Sequence, residues 1–391
     1  MNPKNPSNCK IAYISDQTFP AKKANAEQII NTVSALANEG VNIKLIVPRK
    51  WRTLFISKKK LKQQIMDFYR TRGNLEIKFI FHLPFCPFKI DKITHGLLAP
   101  LLAVILKADI IYTRNSLPAL IALALGKKVL FEVYRIYGKN KKDGFLKLAR
   151  QSQKSDAIGI ICHSQPSRES LLALGVPENK VTVVHNGFNP ELLKPLLTKA
   201  EARKSLNWRL DDKLVIFAGR IDVDKGAHSI LDLAQQTPEV NYVLIGYSQN
   251  DDEDWILREA DKRGLGNIKK LPWQTVENLV KYLFAADALI IPPTAGPLQK
   301  YGNTVLPIKI FIYMAAGRCI IAPALPDIKT VLNESNAVLV EPDNIEKAAK
   351  AIKKVFGEKE WADAIAQKAR QDSENYTWQS RAKKIITFMN Q

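Results

Sequence analysis

Two cations stand five residues apart where a strand gives way to a helix. Segment 215–226 (VIFAGRIDVDKG) begins as a β-branched, apolar run and turns at Gly219. It then presents Arg220 and Lys225 just before the helical pattern Ile230, Leu231, Leu233, Ala234. The order strand, tight turn, helix sets both cations beside unpaired backbone N–H groups and the positive end of a helix dipole. Such a place favours an anion, and a diphosphate is its natural guest. A plain surface turn with solvated Arg and Lys would share this local sequence, so the rest of the chain must decide.

The positioning elements read as alternating strands and helices, the pattern of parallel sheets in an α/β protein. In the first half, strands are expected over 11–15, 43–47, 76–82, 109–113, 128–133, 157–162 and 181–184. Helices fall over 25–37, 94–106, 117–125 and 167–174. Pro190 and Pro195 mark a linker, after which strands recur over 215–218, 242–245, 268–270, 288–291, 319–322 and 337–340. Helices are expected over 253–263, 276–284, 309–316 and 345–356, with a further helical tail over 361–389. The expected organisation is a first Rossmann-like domain (1–190), a second (191–370) and a C-terminal helix (371–391) returning to the first. Two such sheets bind ligands in the crevice at their strand carboxyl ends.

Composition narrows the function. The 391 residues are 46% hydrophobic and 25% charged, ordinary for a globular protein. Cys9, Cys86, Cys162 and Cys319 are scattered, with no Cys/His cluster, so neither a zinc site nor a disulfide framework is indicated and a reducing cytoplasm is expected. The polar start is unlike a signal peptide. The longest apolar stretch, 96–106, is far below the ~20 residues that span a bilayer, and reads as a core helix.

The charge balance is unusual: 58 basic against 38 acidic residues, net +20. Such a surface seeks an anionic partner. The excess gathers over 49–72, where Lys50, Arg52, Lys58, Lys59, Lys60 and Lys62 alternate with Trp51, Leu54, Phe55, Leu61, Ile65 and Tyr69. Cations interleaved with apolar residues suit an interfacial helix on an anionic membrane, each cation contributing about 1 kcal/mol. A solvated, basic insertion is the alternative. Nucleic acid is disfavoured, because no recognised binding motif accompanies the charge.

Several segments together resemble family 4 of the retaining, nucleotide-sugar-dependent glycosyltransferases, which have the GT-B fold of two Rossmann-like domains facing across a cleft. The resembling segments are FPAKKA (19–24), YTRN (112–115), 155–164 with GVPENKV (175–181), HNGFN (185–189), the 219–226 cation pair and PIKIFIYMAAG (307–317). The resemblance implies that Arg220 and Lys225 stabilise a departing nucleoside diphosphate without a metal or other cofactor. It implies that Gly219, Gly246, Thr304, Pro307 and Lys309 line the nucleotide site, and that Glu132, Tyr134 and Arg114 face the substrates from the first domain.

Three positions depart from the family pattern. Thr304 and Ile312 stand where two glutamates are usual, and Ile312 cannot accept hydrogen bonds from a ribose. Tyr134 replaces a histidine near the donor sugar, and can donate a hydrogen bond but not serve as a near-neutral acid or base. His82, His95, His163 and His228 read as structural. His185 belongs to the interdomain hinge motif. Glu132 would be costly to bury on a strand without a partner, which argues for a cleft position.

The expected activity is transfer of a hexose from a nucleotide diphosphate sugar to a hydroxyl acceptor, a glycolipid or lipid-linked saccharide, by a cytoplasmic protein peripheral on a membrane. The alternatives are a soluble saccharide acceptor, or a degenerate binding scaffold that has lost its donor.

Overall fold

The computed structural model describes residues 9–71, 73, 75–81, 90–137, 144–155, 157–248, 254–296 and 306–391. They divide into two compact units: residues up to 186 together with 378–391, and residues 187–377.

In the first unit the order is β1 (Lys10–Ile14), α1 (Ala24–Asn38), β2 (Asn42–Arg49), α2 (Lys58–Tyr69), β3 (Glu76–Phe81) and α3 (Ile90–Ile105). It continues through β4 (Ile110–Thr113), α4 (Ser116–Ala124), β5 (Lys128–Val133), α5 (Gly144–Ser152), β6 (Ile158–Cys162), α6 (Gln165–Leu172) and β7 (Val181–Val183). The second unit carries α7 (Lys199–Ser205), β8 (Leu214–Arg220), α8 (Ala227–Gln236), β9 (Asn241–Tyr247), α9 (Trp255–Lys262), β10 (Ile268–Pro272) and α10 (Val276–Ala285). Then come β11 (Ala288–Ile290), α11 (Lys309–Ala316), β12 (Cys319–Pro323), β13 (Val338–Val340), α12 (Ile345–Gly357) and α13 (Lys359–Ser373). The last helix, α14 (Trp378–Met389), belongs to the first unit and packs on α1.

Both sheets are parallel among the described residues. Their orders are β3-β2-β1-β4-β5-β6-β7 and β10-β9-β8-β11-β12-β13. Each reverses direction once, between β1 and β4 and between β8 and β11, the doubly wound arrangement in which ligands bind at the reversal. Strand residues alternate between two covered faces. Val215 and Phe217 of β8 enter a core with α8 and α12, while Leu214, Ile216 and Ala218 enter another with α10 and α11. Burial on both sides is why these strands read as unbroken apolar runs.

Four sequence expectations change. The 361–389 tail is two helices separated by a short turn over Glu374–Tyr376, not one. α5 and α7 were not anticipated, being only nine and seven residues long.

The basic segment is partly core. Its helix α2 turns Leu61, Ile65 and Tyr69 inward, and the Tyr69 hydroxyl bonds both the N–H and the carbonyl of Ala21 at 2.9 Å. The apolar side expected to meet lipid therefore packs against protein. Exposed apolar surface in this segment is confined to the turn before α2, at Trp51, Leu54 and Phe55, with Lys50, Arg52, Lys58, Lys59 and Lys60 exposed around it and Lys62 half-buried.

The expected core helix is α3, and it is only half core. Ala99 and Ala103 are fully buried, whereas Leu98 is 50% and Ile105 75% exposed, with Ile93, Leu97, Leu101 and Val104 also open. The spacing 93, 97, 101, 104–105 traces one helical stripe.

Candidate functional site

The cation pair is built at the carboxyl end of β8, the strand beside the reversal of the second sheet. Gly219 pairs in register with Gly246 of β9. A Cβ at Gly246 would lie 1.7 Å from the Gly219 carbonyl oxygen, so only glycine lets the two strand ends approach. After Arg220 the chain makes a 3₁₀ turn over Val223–Lys225. Gly226 then takes φ +79° and opens α8, whose N-terminal amides lie beside Lys225. A side chain at Gly226 would meet Thr294 and Pro292 just past β11, which places the turn at the sheet reversal.

Lys309 arrives from a distant part of the chain. The Tyr313 hydroxyl accepts the Ala218 N–H at 2.7 Å, pinning α11 against the end of β8. Lys309 is one turn earlier on the same helix face. Its ammonium stands 3.9 Å from the Phe217 ring centroid and would be 2.3 Å from a Cβ on Gly219. Burial, and then the neighbouring positive charge of Lys225, lower the Lys309 pKa to about 7. Three basic residues thus stand at one strand end, with the Lys309 ammonium beside Gly219 and close enough to Lys225 to feel its charge.

Acidic residues in the same turn hold Arg220. Asp222 Oδ2 lies 2.6 Å from Arg220 Nε, and Arg220 Nη2 donates to Asp224 Oδ2 at 2.6 Å. Asp222 is itself buried and accepts from the Ser248 hydroxyl at 2.6 Å. Sequence reading weighed only the cations of 219–226; the alternation Arg, Asp, Asp at 220, 222 and 224 was the available signal for this clasp.

Of the other nucleotide-site expectations, Gly219, Gly246 and Lys309 are brought together with Arg220 and Lys225. Pro307 opens the first turn of α11, its carbonyl accepting from Ile310 N–H at 3.1 Å. Thr304 lies outside the described residues. Ile312 packs half-buried on the core of its unit.

In the first unit Glu132 is fully buried rather than lining a cleft, and the reason is a set of partners that local sequence does not show. Its carboxylate accepts from Arg381 Nη2 at 2.8 Å, Gln28 Nε2 at 2.6 Å, the Tyr112 hydroxyl at 2.6 Å and His163 Nε2. Burial alone would raise the Glu132 pKa; Arg381, His163 and Arg114 outweigh it and hold the carboxyl far below the usual range. Burial pushes His163 down to about 4, so the ring is neutral and donates through Nε2 while Asn186 Nδ2 approaches Nδ1 at 3.4 Å. His185 Nδ1 bonds the His163 carbonyl at 2.8 Å. Glu132 is therefore an organiser of this unit's interior.

Tyr134 and Arg114 sit at the carboxyl ends of β5 and β4, half-buried. The Arg114 guanidinium lies 4.5 Å from the Tyr134 ring centroid and donates to Gln28 Oε1 at 2.7 Å. A residue that sequence reading passed over, Arg135, stacks on the same ring at 4.9 Å and donates to the Tyr134 hydroxyl at 2.6 Å.

Known proteins resemble this chain throughout. Its residues 26–192 match the family described as Glycosyltransferase Family 4, and residues 198–372 match Glycosyl transferases group 1. An uncharacterized glycosyltransferase of Methanocaldococcus jannaschii is 25% identical over 59% of this chain and 59% of its own length. A D-inositol 3-phosphate glycosyltransferase of Mycobacteroides abscessus is 23% identical over 61% of this chain and 53% of its own. The matches thus span little more than half the length of these relatives. Among solved structures, sucrose-phosphate synthase from Thermosynechococcus elongatus superimposes with TM-score 0.76 at 19% identity, covering 97% of this chain and 98% of that one. Anabaena HepE in complex with UDP does so with TM-score 0.73 at 15% identity, covering 97% and 99%. These likenesses establish the fold. With one match to each half and a GT-B architecture of two parallel-sheet domains, the chain belongs to the family 4, group 1 glycosyltransferases.

Proposed function

We propose that the protein is a retaining transferase that moves a hexose from a nucleotide diphosphate sugar to a hydroxyl group presented at a membrane. The observation that carries this reading is the convergence of Arg220, Lys225 and Lys309 on the end of β8, beside the first amides of α8. Cleavage of a sugar–phosphate bond leaves negative charge on the diphosphate, and preorganised cations stabilise that charge as it develops. Arg220 supplies a planar fork held in direction by Asp222 and Asp224; the lysines act as point charges. The acceptor oxygen bonds to the anomeric carbon as the phosphate oxygen departs on the same face and takes the acceptor's proton. No protein nucleophile is needed, and none is assigned. Charge neutralisation by side chains makes the reaction independent of added metal. HepE has been crystallised with UDP, with UDP and glucose, and with UDP-glucose, which makes uridine the first base to test.

Membrane presentation is supported by surface chemistry. Among the described residues no helix is long and apolar enough to cross a bilayer. The exposed α3 stripe is flanked by Lys92 and Lys107, and Phe55 in the basic turn is 95% exposed. An apolar strip bounded by cations suits the headgroup boundary of an anionic membrane.

The test is product analysis after incubation with UDP-, GDP- and ADP-sugars and a membrane lipid extract, with and without EDTA. Undiminished turnover by both Arg220→Ala and Lys225→Ala would remove the assignment. Ile312 favours one competing reading, a scaffold that has lost its donor; calorimetry showing no binding of any of the three nucleotide sugars would establish that reading instead.

A further inference from the structure

The first unit holds two guanidinium groups around one phenol ring at the carboxyl edge of its sheet. Arg114 closes β4, Tyr134 and Arg135 follow β5, and both strands lie on one side of the sheet reversal. Neither arginine pairs with a carboxylate among the described residues. Arg114 donates to the neutral Gln28 amide, and Arg135 to the Tyr134 hydroxyl. Arg114 acts electrostatically on buried Glu132 but does not bond to it, since that carboxylate is taken up by Arg381, His163, Gln28 and Tyr112. Two positive charges are thus held close together by one ring, with donor capacity left over: a guanidinium carries five N–H donors, and each uses one side-chain bond here.

Arg114 is drawn electrostatically to buried Glu132, but Arg135 is exposed and has no carboxylate partner among the described residues, and the ring contact only weakly compensates the closeness of two like charges. A planar fork stacked on an aromatic is preorganised for the oxygens of a phosphate. The Tyr134 hydroxyl, accepting from Arg135, still has its own proton to donate to a neighbouring oxygen.

We infer that Arg114, Tyr134 and Arg135 form a subsite for a phosphate group carried by the acceptor, so that the preferred acceptor is a phosphorylated hydroxyl compound rather than a neutral one. This rests on the transferase reading for its biological meaning, but the anion site itself does not. The phosphate belongs either to a lipid headgroup or to a soluble sugar or polyol phosphate, and one subsite serves both.

The experiment uses the full chain and separates these possibilities. Binding of glycerol 3-phosphate, with glycerol as control, is measured by calorimetry without any donor. The wild type is expected to bind the phosphate ester and not glycerol. Arg135→Gln is expected to weaken that binding about ten- to a hundredfold, the range for loss of charge-assisted hydrogen bonds. Arg135→Lys should recover it in part, because charge returns without the fork. Arg135 is exposed, so these variants keep the fold, which circular dichroism checks; Arg114→Gln is the second variant.

Transfer rates are then compared for a neutral acceptor, its soluble phosphate monoester, and a phosphodiester headgroup in phosphatidylglycerol vesicles. Preference for the soluble ester or for the vesicle identifies the source. Equal rates for neutral and phosphorylated acceptors, or Arg135→Gln changing only UDP affinity, would overturn the subsite while leaving the transferase standing. Phosphate-ester binding that depends on Arg135, with no transfer to any acceptor, would uphold the subsite and defeat the transferase reading.

Discussion

Arg381 Nη2 donates to Glu132 Oε1 at 2.8 Å, joining positions 249 residues apart inside one unit. The same guanidinium donates to Thr32 Oγ1 at 3.0 Å and to the carbonyls of Val184 and His185 at 2.6 and 3.0 Å. One side chain of α14 therefore ties together α1, β5 and the segment after β7.

Arg381→Met should be strongly destabilising. It leaves the Glu132 carboxylate buried without its cation, a loss of about 3–5 kcal/mol. Urea unfolding of the first unit's transition measures it. Adding Glu132→Gln to Arg381→Met should cost less than the two separate losses combined, since both remove the same pair.

Acid should weaken the protein before the carboxylates titrate. His163 is held neutral by burial, with its pKa lowered to about 4 from an ordinary value near 6.5. The unfolded chain binds a proton in that window and the folded one does not, so this contribution is present above pH ~6.5 and is lost on acidification towards 4. Between pH 7.5 and 5 the loss is about 2 kcal/mol. Denaturant titrations at both pH values read it, and His163→Gln should flatten the difference. Glu132, shifted in the same direction, contributes above its ordinary unfolded pKa and fails only in stronger acid.

Diphosphate affinity should rise as pH falls through 7. Lys309 is largely neutral above its pKa of about 7, and an arriving anion favours the protonated form. UDP should bind roughly tenfold more tightly at pH 6 than at pH 8 through this group. UDP's own phosphate also titrates nearby, so the decisive comparison is the shallower profile of Lys309→Met.

Gly246→Ala should be destabilising, by about 1–3 kcal/mol. Its Cβ meets the Gly219 carbonyl, which is backbone and cannot swing aside. Gly219→Ala meets the mobile end of Lys309 and also forces an L residue to φ +150°, so it should lower UDP affinity as well as stability. Thermal melts and calorimetry on both variants separate the two outcomes.

Leu98→Glu with Ile105→Glu should abolish co-sedimentation with anionic vesicles while leaving the fold intact, because both side chains are exposed. Replacing Lys58, Lys59 and Lys60 by Gln should weaken binding mainly at low salt, as expected of screened charges. Unchanged sedimentation of the α3 variant would remove the membrane reading.

Local pattern carried much of the fold. Residues 309–316 were expected as a helix and form one with those bounds, and the β8 turn with its cations lies where the glycines and apolar run put it. Those features are set within a few residues. The partners of Glu132 are not: Gln28, Tyr112, His163 and Arg381 meet only because the sheet and α14 bring them together. For the same reason 96–106 read as wholly core. Leu and Val mark a helix that can be buried, but which side is covered depends on β1, β2 and α4 packing against it. Arg135 was passed over because stacking on Tyr134 leaves no spacing signature.

Because α14 completes the first unit, the nascent chain cannot finish the half it made first until that helix, which follows the whole of the second unit, has also been made. Until Arg381 leaves the ribosome, Glu132 lacks the guanidinium that neutralises it. Maturation of the first half therefore waits for synthesis of the second, and an early stop upstream of Arg381 would yield a product defective at its beginning.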